Sequence, residues 1–169
     1  LEMGCGTGRV ARRLANTGRR FTGIDISLAM LQLAGQYRHP HCHFICMDML
    51  APAFLHPFAA IVIPYNTLNL FPNRKRILRG LHGCRQHLAP QGSLVLQLFI
   101  PTTDFSAGGR ATFQFQMFDR PGGGRIIKEI RKRYLPESQT VQLEERFRIR
   151  PMQEGQANAD YHAITAIAG

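Results

Sequence analysis

The chain has 169 residues, 44% of them hydrophobic, so it can bury one hydrophobic core and has the size of a single domain. Its formal net charge of +10 suggests attraction to anions, but the arginines and lysines are scattered between apolar residues, as on solvated faces. No apolar run reaches the roughly 18 residues needed to span a membrane, and no signal peptide is visible, which favours a cytoplasmic protein.

The first half of the chain alternates short apolar runs with helical patterns, which is typical of parallel βαβ units. We predict strands at 1–3, 21–26, 43–47, 58–63 and 93–100, and helices at 7–17, after Ser27 and at 73–88. Gly18 is placed to end the first helix in a left-handed conformation, and Ser27 to cap the second. Met30, Leu31 and Ala34 of the second helix should face the sheet.

The last helix and strand of this half have the longest apolar patterns. Helix 73–88 has one apolar stripe, formed by Ile77, Leu78, Leu81, Cys84 and Leu88. Residues 90–92 are predicted to form a turn. The nearly unbroken apolar run at 93–100 predicts a strand that is covered on both faces.

After Pro101 the pattern changes to alternating polar and apolar residues, in segments at 111–118, 125–134, 140–150 and 161–167. Such segments predict antiparallel strands with one solvated face rather than further βαβ units. The fold class is therefore α/β, with a doubly wound, mostly parallel sheet and an antiparallel β appendage. We place the five-stranded core at 1–101 and the appendage at 102–169.

The four cysteines predict neither a disulfide framework nor a metal site, and none of them forms a CxxC pair. On a strand, Cys42 and Cys46 would share one face while His41 and His43 would take the other. These side chains would not converge on one ion, so we expect no metal.

Glycines occupy every second position at the end of the segment Leu1-Glu2-Met3-Gly4-Cys5-Gly6-Thr7-Gly8, between a predicted strand and a predicted helix. They let the backbone turn sharply and approach a ligand where any Cβ would collide. A dinucleotide fingerprint would need a glycine where this chain has Arg9. The glycine spacing, with the acidic Glu2 two residues earlier, resembles the first motif of class I S-adenosylmethionine-dependent methyltransferases.

This resemblance implies a Rossmann-like fold with S-adenosylmethionine as cofactor. In that family the glycine loop, matched here by Gly4, Cys5, Gly6 and Gly8, lies beside the amino-acid part of the cofactor. The acidic residue before the loop, matched by Glu2, helps to hold the cofactor's ammonium group, with which a carboxylate can pair.

Acidic residues also follow the second and third predicted strands. Asp25 lies about 20 residues beyond the loop, where doubly wound folds place a carboxylate that accepts hydrogen bonds from ribose hydroxyls. By resemblance, Ile26 would lie against the adenine ring, Asp48 would accept from its exocyclic amine and Met49 would pack on it. Helix capping by Asp25 and turn formation by Asp48 remain alternatives.

The segment after the fourth strand, Ile63-Pro64-Tyr65-Asn66-Thr67-Leu68-Asn69, emerges at the topological switch region. The resemblance places it beside the methyl group and the substrate, with Pro64 near the cofactor. Tyr65 and Asn66 are the candidate catalytic residues that orient the substrate, and His56 is a weaker candidate base. The segment lacks the Asn/Asp-Pro-Pro-aromatic motif of amide and nucleobase N-methyltransferases, which argues against nucleic-acid or glutamine methylation.

The resemblance covers roughly residues 1–100. The antiparallel part is similar to the substrate cover that methyltransferases of amino sugars and small amines insert after the fifth core strand. In those enzymes a helix and two strands follow, so we expect this chain to be truncated at both ends and to lack the last two core strands. The unpaired sheet edge would favour dimerisation or aggregation.

The function predicted is methyl transfer from S-adenosylmethionine to a nitrogen or oxygen of a small molecule. An RNA or DNA methyltransferase, motivated by the net charge of +10, and a non-catalytic module that binds S-adenosylmethionine are the alternatives from other classes. Arg9 argues against a nicotinamide dehydrogenase.

Overall fold

The structure of the chain is a computed structural model, which describes residues 1–14, 17–71, 73–100, 111–120, 123–138, 140–151 and 159–168. The chain divides into two compact units. The first is formed by Leu1–Asn69 with Asn73–Phe99, and the second by the strands that follow. No helix within the described ranges is long and apolar enough to cross a lipid bilayer.

The first unit is built on a five-stranded parallel sheet in the order β3-β2-β1-β4-β5. Its strands are β1 (Glu2–Met3), β2 (Phe21–Asp25), β3 (Cys42–Cys46), β4 (Phe58–Ile63) and β5 (Leu88–Leu96). The helices are α1 (Arg9–Leu14), α2 (Leu28–Gly35) and α3 (Arg74–His87), with a 3-10 turn at Thr67–Leu70. The predicted α/β fold with a parallel central sheet is therefore confirmed.

The core of this unit is made by side chains that the sheet and α3 bury completely. They are Met3, Ile24, Ile61, Ile63 and Cys84. Burial of an aliphatic side chain of this size contributes about 1.5–3 kcal/mol, so these few residues carry much of the stability of the sheet. The Sγ atom of Cys84 lies 3.5 Å from the Sδ atom of Met3, which joins α3 to the central strand.

Local signals placed the ends of the first two helices. Gly18 has a left-handed φ of 72°, and the Oγ atom of Ser27 accepts a hydrogen bond from the backbone N–H of Met30 at 3.4 Å, as predicted. Helix α1 begins at Arg9 rather than at residue 7, because Gly8 has a φ of 75° that a helix does not allow. Met30 is exposed, because α2 is short and buries only Leu31 and Ala34.

Glycines rather than leucines form much of the buried face of α3. Gly80, Gly83 and Cys84 are buried, whereas Leu78, assigned to the apolar stripe, is 54% exposed. A Cβ atom at Gly83 would lie 2.9 Å from the ring of Pro52, so the chain before β4 packs directly on the helix backbone. A pattern that counts only large apolar residues overlooks this kind of contact.

Strand β5 differs most from its prediction. It begins at Leu88, and the residues expected to form a turn are an irregularity within the strand, where Gln91 has a φ of 61°. The expected cover on both faces is wrong, since Val95 is 53% exposed. Among the described strands β5 is one of the two edge strands of the sheet, with β3 at the other edge, and an apolar run does not reveal that position.

The second unit is an antiparallel sheet, as predicted, and its strands follow the order β6-β7-β8-β9. Its strands are β6 (Thr112–Asp119), β7 (Arg125–Leu135), β8 (Thr140–Arg150) and β9 (Ala159–Ala168). One face buries Ile130 and Val141. The opposite face carries ion pairs, including Glu129 with Arg148 at 3.0 Å, which is the pattern of a solvated surface.

Candidate functional site

The loops after β1, β2, β3 and β4 meet at one edge of the parallel sheet. Strand β1 lies between β2 and β4. The strands β2 and β3 are added on one side of β1, and β4 and β5 on its other side. In parallel α/β sheets this edge, at the reversal of strand order, is where ligands bind. Residues that are far apart in the sequence are thus brought to one side of the molecule.

The glycine loop after β1 has left-handed backbone at Gly4, Gly6 and Gly8, with φ values of 75°, 53° and 75°. A Cβ atom at Gly4 would lie 2.4 Å from Cγ2 of Thr67, and one at Gly8 would lie 2.9 Å from Cζ of Phe44. A Cβ atom at Gly6 would meet nothing within 4 Å. Gly4 and Gly8 are therefore required by internal packing, whereas Gly6 faces open space that a ligand can enter.

Asp25 ties the glycine loop to the end of β2. Its Oδ2 atom accepts the backbone N–H of Gly6 at 2.8 Å, and its Oδ1 atom accepts the N–H of Ser27 at 2.9 Å. Each carboxylate oxygen keeps a further lone pair, so Asp25 can both fix the loop and accept hydrogen bonds from a ligand. The adjacent Ile26 is 73% exposed and offers an apolar surface.

Asp48 follows β3 and forms a turn, the alternative that the sequence left open. Its Oδ1 atom accepts the backbone N–H of Leu50 at 2.8 Å. Among the described residues its Oδ2 atom has no partner, so it remains available to a ligand. Met49 is buried, with its Cε atom toward Gly80 of α3, and leaves little surface for a ring to pack on.

The side chain of Cys5 points away from the open edge. It is buried against Gly23, where a Cβ atom would lie 2.8 Å from the Cys5 Sγ atom. Burial, and then the nearby charges of Glu2 and Asp25, raise the pKa of the thiol to about 12. The thiol is therefore not a nucleophile, and only the backbone of Cys5 is left to contact a ligand.

Glu2 is a buried acid that the protein itself does not satisfy. Its side chain is buried, and among the described residues its Oε2 atom has no hydrogen-bond partner. Burial raises the pKa of Glu2 to about 7; Arg9 opposes this shift, and Asp25 adds to it. A cation placed beside Oε2 would supply the missing partner, so the site fits a ligand with an ammonium group.

We expect Glu2→Gln to stabilise the protein above neutral pH. Below the unfolded pKa near 4.5 the buried Glu2 is neutral, so no charge has to be buried. As the pH rises from there through the folded-state pKa of about 7, the free energy of unfolding falls, because burial then opposes the charged form. The neutral amide avoids this loss, which amounts to up to about 3 kcal/mol at pH 8 and to almost nothing at pH 4. Urea unfolding at both pH values measures the difference.

The matched control for Glu2→Gln is Glu144→Gln on the second sheet. Glu144 accepts a hydrogen bond from Arg146 at 3.1 Å. Desolvation raises the pKa of Glu144, but the hydrogen bonds from His162 and Arg146 outweigh it, so the pKa is lowered overall. This control should show no gain at pH 8. A gain for Glu2→Gln that is equal at pH 4 and pH 8 would contradict the argument.

The loop after β4 is held in a strained conformation. Tyr65 and Asn66 have left-handed φ values of 55° and 58°, which cost non-glycine residues about 1–2 kcal/mol each. The backbone N–H of Tyr65 donates to Oε1 of Gln97 at 3.0 Å, and the Arg9 guanidinium lies 4.2 Å from the centre of the tyrosine ring. Such strain is concentrated at functional sites. Pro64 before them is buried.

Two residues that support this loop escaped the sequence analysis. The Asn69 side chain accepts the N–H of Phe99 at 3.0 Å and donates to its carbonyl oxygen at 3.1 Å, while Gln97 accepts from Tyr65. In the sequence, Gln97 stands out as a polar residue inside the apolar run 94–100, which could have indicated a buried or functional hydrogen bond. His56 precedes β4 and so lies at the opposite edge of the sheet, which excludes it as a base acting beside Tyr65.

The acidic residues of the first unit lie at one end of its strands. Residues 1–99 contain eleven arginines and lysines but only three acidic residues, Glu2, Asp25 and Asp48. All three acids lie at the carboxyl ends of the strands. The carboxyl ends of the strands therefore hold every carboxylate of residues 1–99, which can pair with a cationic ligand, beside the positive charges of Arg9 and of Arg74 and Lys75 at the start of α3.

Comparisons with known proteins agree with this site. A model of the methyltransferase domain family matches residues 1–92. Putative methyltransferase YqeM of Bacillus subtilis (strain 168) is 32% identical over 101 residues, which are 58% of this chain and 41% of that protein. The ubiquinone biosynthesis O-methyltransferase of Hydrogenovibrio crunogenus is 28% identical over 168 residues, 79% of this chain and 68% of that protein.

Solved structures share the fold across both units. S-adenosylmethionine-bound CalS10, an amino pentose methyltransferase from Micromonospora echinaspora, has a TM-score of 0.76 at 21% identity. The match covers 99% of this chain and 66% of the CalS10 chain. DesVI of Streptomyces venezuelae has a TM-score of 0.81 at 17% identity, covering 99% of this chain and 67% of its own. At this identity the likeness concerns the fold alone.

The chain spans less than half the length of the first curated relatives that it matches. The family match itself covers more than half of the chain and includes the glycine loop, Asp25 and the loop after β4. The chain therefore belongs to the class I S-adenosylmethionine-dependent methyltransferases, enzymes whose cofactor is S-adenosylmethionine.

Proposed function

We propose that the chain binds S-adenosylmethionine at the carboxyl edge of its parallel sheet and that the protein transfers the methyl group to a small molecule. The observation that carries this proposal is that Oε2 of the buried Glu2 has no partner among the described residues. Glu2 is in β1, and the loop that follows β1 has open space at Gly6. A ligand that is cationic at one end supplies what this acid lacks.

The residues at this edge match the parts of the cofactor in order. Glu2 pairs with the ammonium group, the left-handed loop at Gly6 allows the amino-acid part to approach, and the free lone pairs of Asp25 accept the ribose hydroxyls. Ile26 packs on the adenine, and Oδ2 of Asp48 accepts from its amine. Gly4, Gly8, Cys5, Met49 and Pro64 shape this site through backbone and packing.

When bound, S-adenosylmethionine supplies a methyl group on a positively charged sulfur, which is already activated for displacement. The protein then has mainly to bring the nucleophile into line, and correct positioning can supply much of the rate enhancement. Tyr65 and Asn66 perform this task, because the strained loop fixes both side chains at the switch point. Arg9 restricts the tyrosine ring by lying over its face.

The nucleophile that suits these residues best is an amine. A hydroxyl group needs a general base, whereas an amine needs only to be neutral and oriented. Within the described loops 4–8, 26–27, 47–51 and 64–71 there is no histidine, and the one carboxylate, Asp48, is assigned to the adenine amine. The names of the relatives point to small substrates of both kinds, such as the sugar N-methyltransferase KedS8 and the ubiquinone biosynthesis O-methyltransferase.

Variants of the loop after β4 test the proposed function. Tyr65→Phe removes the hydroxyl group and Asn66→Ala removes the amide, so each should lower kcat about tenfold or more while the Kd for S-adenosylmethionine stays within about twofold. Transfer of a radiolabelled methyl group to a panel of amino sugars and small amines measures kcat. Unchanged turnover in both variants would refute the assignment.

Asn66→Gly separates strain from chemistry. Glycine tolerates the φ of 58°, so this variant should gain about 1 kcal/mol of stability while turnover still falls. The matched control is Gln91→Gly, which relieves a φ of 61° in β5 away from the site and should gain stability with full turnover.

A further inference from the structure

A second concentration of charge lies at the edge of the sheet opposite to the proposed cofactor site. Arg19 and Arg20 immediately precede β2, and Arg38 lies in the loop that leads to β3. The backbone N–H of Phe21 donates to the carbonyl oxygen of His41 at 2.7 Å, so these two loops run side by side. All three arginines are exposed.

Aromatic rings are interleaved with these cations. The guanidinium of Arg12, in the last turn of α1, lies 5.6 Å from the centre of the Tyr37 ring. The rings of Tyr37 and His39 are stacked, with centroids 6.1 Å apart and an angle of 6° between their planes. We call this set the basic-aromatic cluster. Its members are Arg12, Arg19, Arg20, Tyr37, Arg38 and His39.

The protein does not neutralise this cluster. The three acids of residues 1–99 lie at the other end of the strands, and β2 alone separates the two edges by about 13 Å. Within the described ranges, no carboxylate forms an ion pair with Arg19, Arg20 or Arg38. Clustered arginines without acidic partners provide a favourable site for a chain of anions.

We propose that the basic-aromatic cluster binds single-stranded nucleic acid, separately from methyl transfer. Exposed arginines contact successive phosphates, and the rings of Tyr37 and His39 offer surfaces on which unpaired bases can stack. A membrane surface would use the charges but not the ring faces. A duplex keeps its bases inside and would lose the stacking contribution.

The test is fluorescence anisotropy of the whole chain with a labelled RNA of about 12 nucleotides and mixed sequence. Neutralisation of about four phosphates predicts a slope of about −3 in the plot of log K against log salt concentration. The double variant Arg19→Gln/Arg38→Gln should reduce the magnitude of that slope by about 1.4. The single variants are measured as well, so that the result does not depend on the folding of one protein.

A matched control and a variant without the aromatic ring separate the contributions of charge and of stacking to RNA binding. Arg74→Gln/Lys75→Gln removes the same charge from exposed positions at the start of α3, at the other edge of the sheet, and should leave the slope unchanged. Tyr37→Leu keeps the charge but loses the ring, so it should weaken RNA binding about fivefold or more at an unchanged slope.

Four results would overturn the proposal. The first is equal loss of RNA binding in Arg19→Gln/Arg38→Gln and in the control, or no loss in either. The second is binding of the duplex as tight as that of the single strand. The third is binding to vesicles of phosphatidylserine and phosphatidylcholine without binding to RNA. Saturating S-adenosylmethionine should leave RNA affinity unchanged, and competition between them would refute a separate surface.

Discussion

Asp25→Ala is expected to weaken the binding of S-adenosylmethionine by at least about 100-fold, or roughly 3 kcal/mol. The substitution removes the acceptor of the Gly6 and Ser27 N–H groups, which lie 2.8 and 2.9 Å from its two oxygens. It also removes the lone pairs proposed to hold the ribose. Hydrogen bonds to a charged group are worth about 1.5–3 kcal/mol each, so the loss of positioning and of direct contact together exceeds one such bond.

Calorimetric titration with S-adenosylmethionine measures this effect, and thermal unfolding shows whether the variant is folded. Asp25→Asn is an informative intermediate, because its amide oxygen can accept one backbone N–H while its NH2 group faces the other. Asp119→Ala serves as control, since this aspartate on β6 is exposed and is not part of the proposed cofactor site. A folded Asp25→Ala variant with wild-type affinity would contradict the site.

Gly6→Ala is expected to abolish cofactor binding with little effect on folding. A Cβ atom at Gly6 meets no protein atom within 4 Å, so its cost to stability is the left-handed backbone alone, about 1–2 kcal/mol. The same atom projects into the space that the cofactor is proposed to occupy. Gly4→Ala should instead destabilise the protein further, because its Cβ atom would lie 2.4 Å from Thr67 Cγ2.

Gly18→Ala is the matched control for Gly6→Ala. Gly18 has a φ of 72° and also has nothing within 4 Å of its Cβ position, but it lies between α1 and β2, away from the proposed cofactor site. Both variants should unfold at similar urea concentrations, and only Gly6→Ala should lose S-adenosylmethionine binding. Equal affinity in the two variants would show that the space at Gly6 does not receive the ligand.

Regular features of the sequence were sufficient to predict the order of the strands along the chain and to place the glycine loop and Asp25 at the ends of strands. Helical and alternating apolar patterns located the elements, and the glycine loop and Asp25 lie at strand ends, where turn chemistry is readable from single residues. The resemblance to a family added the identity of the cofactor, which the spacing alone did not give.

The parts that were missed depend on contacts between distant residues. The hydrogen bonds of Gln97 to Tyr65 and of Asn69 to Phe99 join residues about thirty positions apart, and no local pattern reports them. The buried Gly80 and Gly83 of α3 pack on residues before β4, which a count of large apolar side chains ignores. The exposure of β5 depends on which strand is outermost, and that is a property of the whole sheet.

S-adenosylmethionine is proposed to bind at the carboxyl ends of the strands, beside Glu2, Gly6 and Asp25. Isothermal titration calorimetry of the purified protein with S-adenosylmethionine and, separately, with NAD tests it most directly. We expect saturable binding of S-adenosylmethionine with release of protons near pH 7, because a cation beside Glu2 lowers its raised pKa, and no binding of NAD. Binding of NAD without S-adenosylmethionine by the folded protein would contradict it.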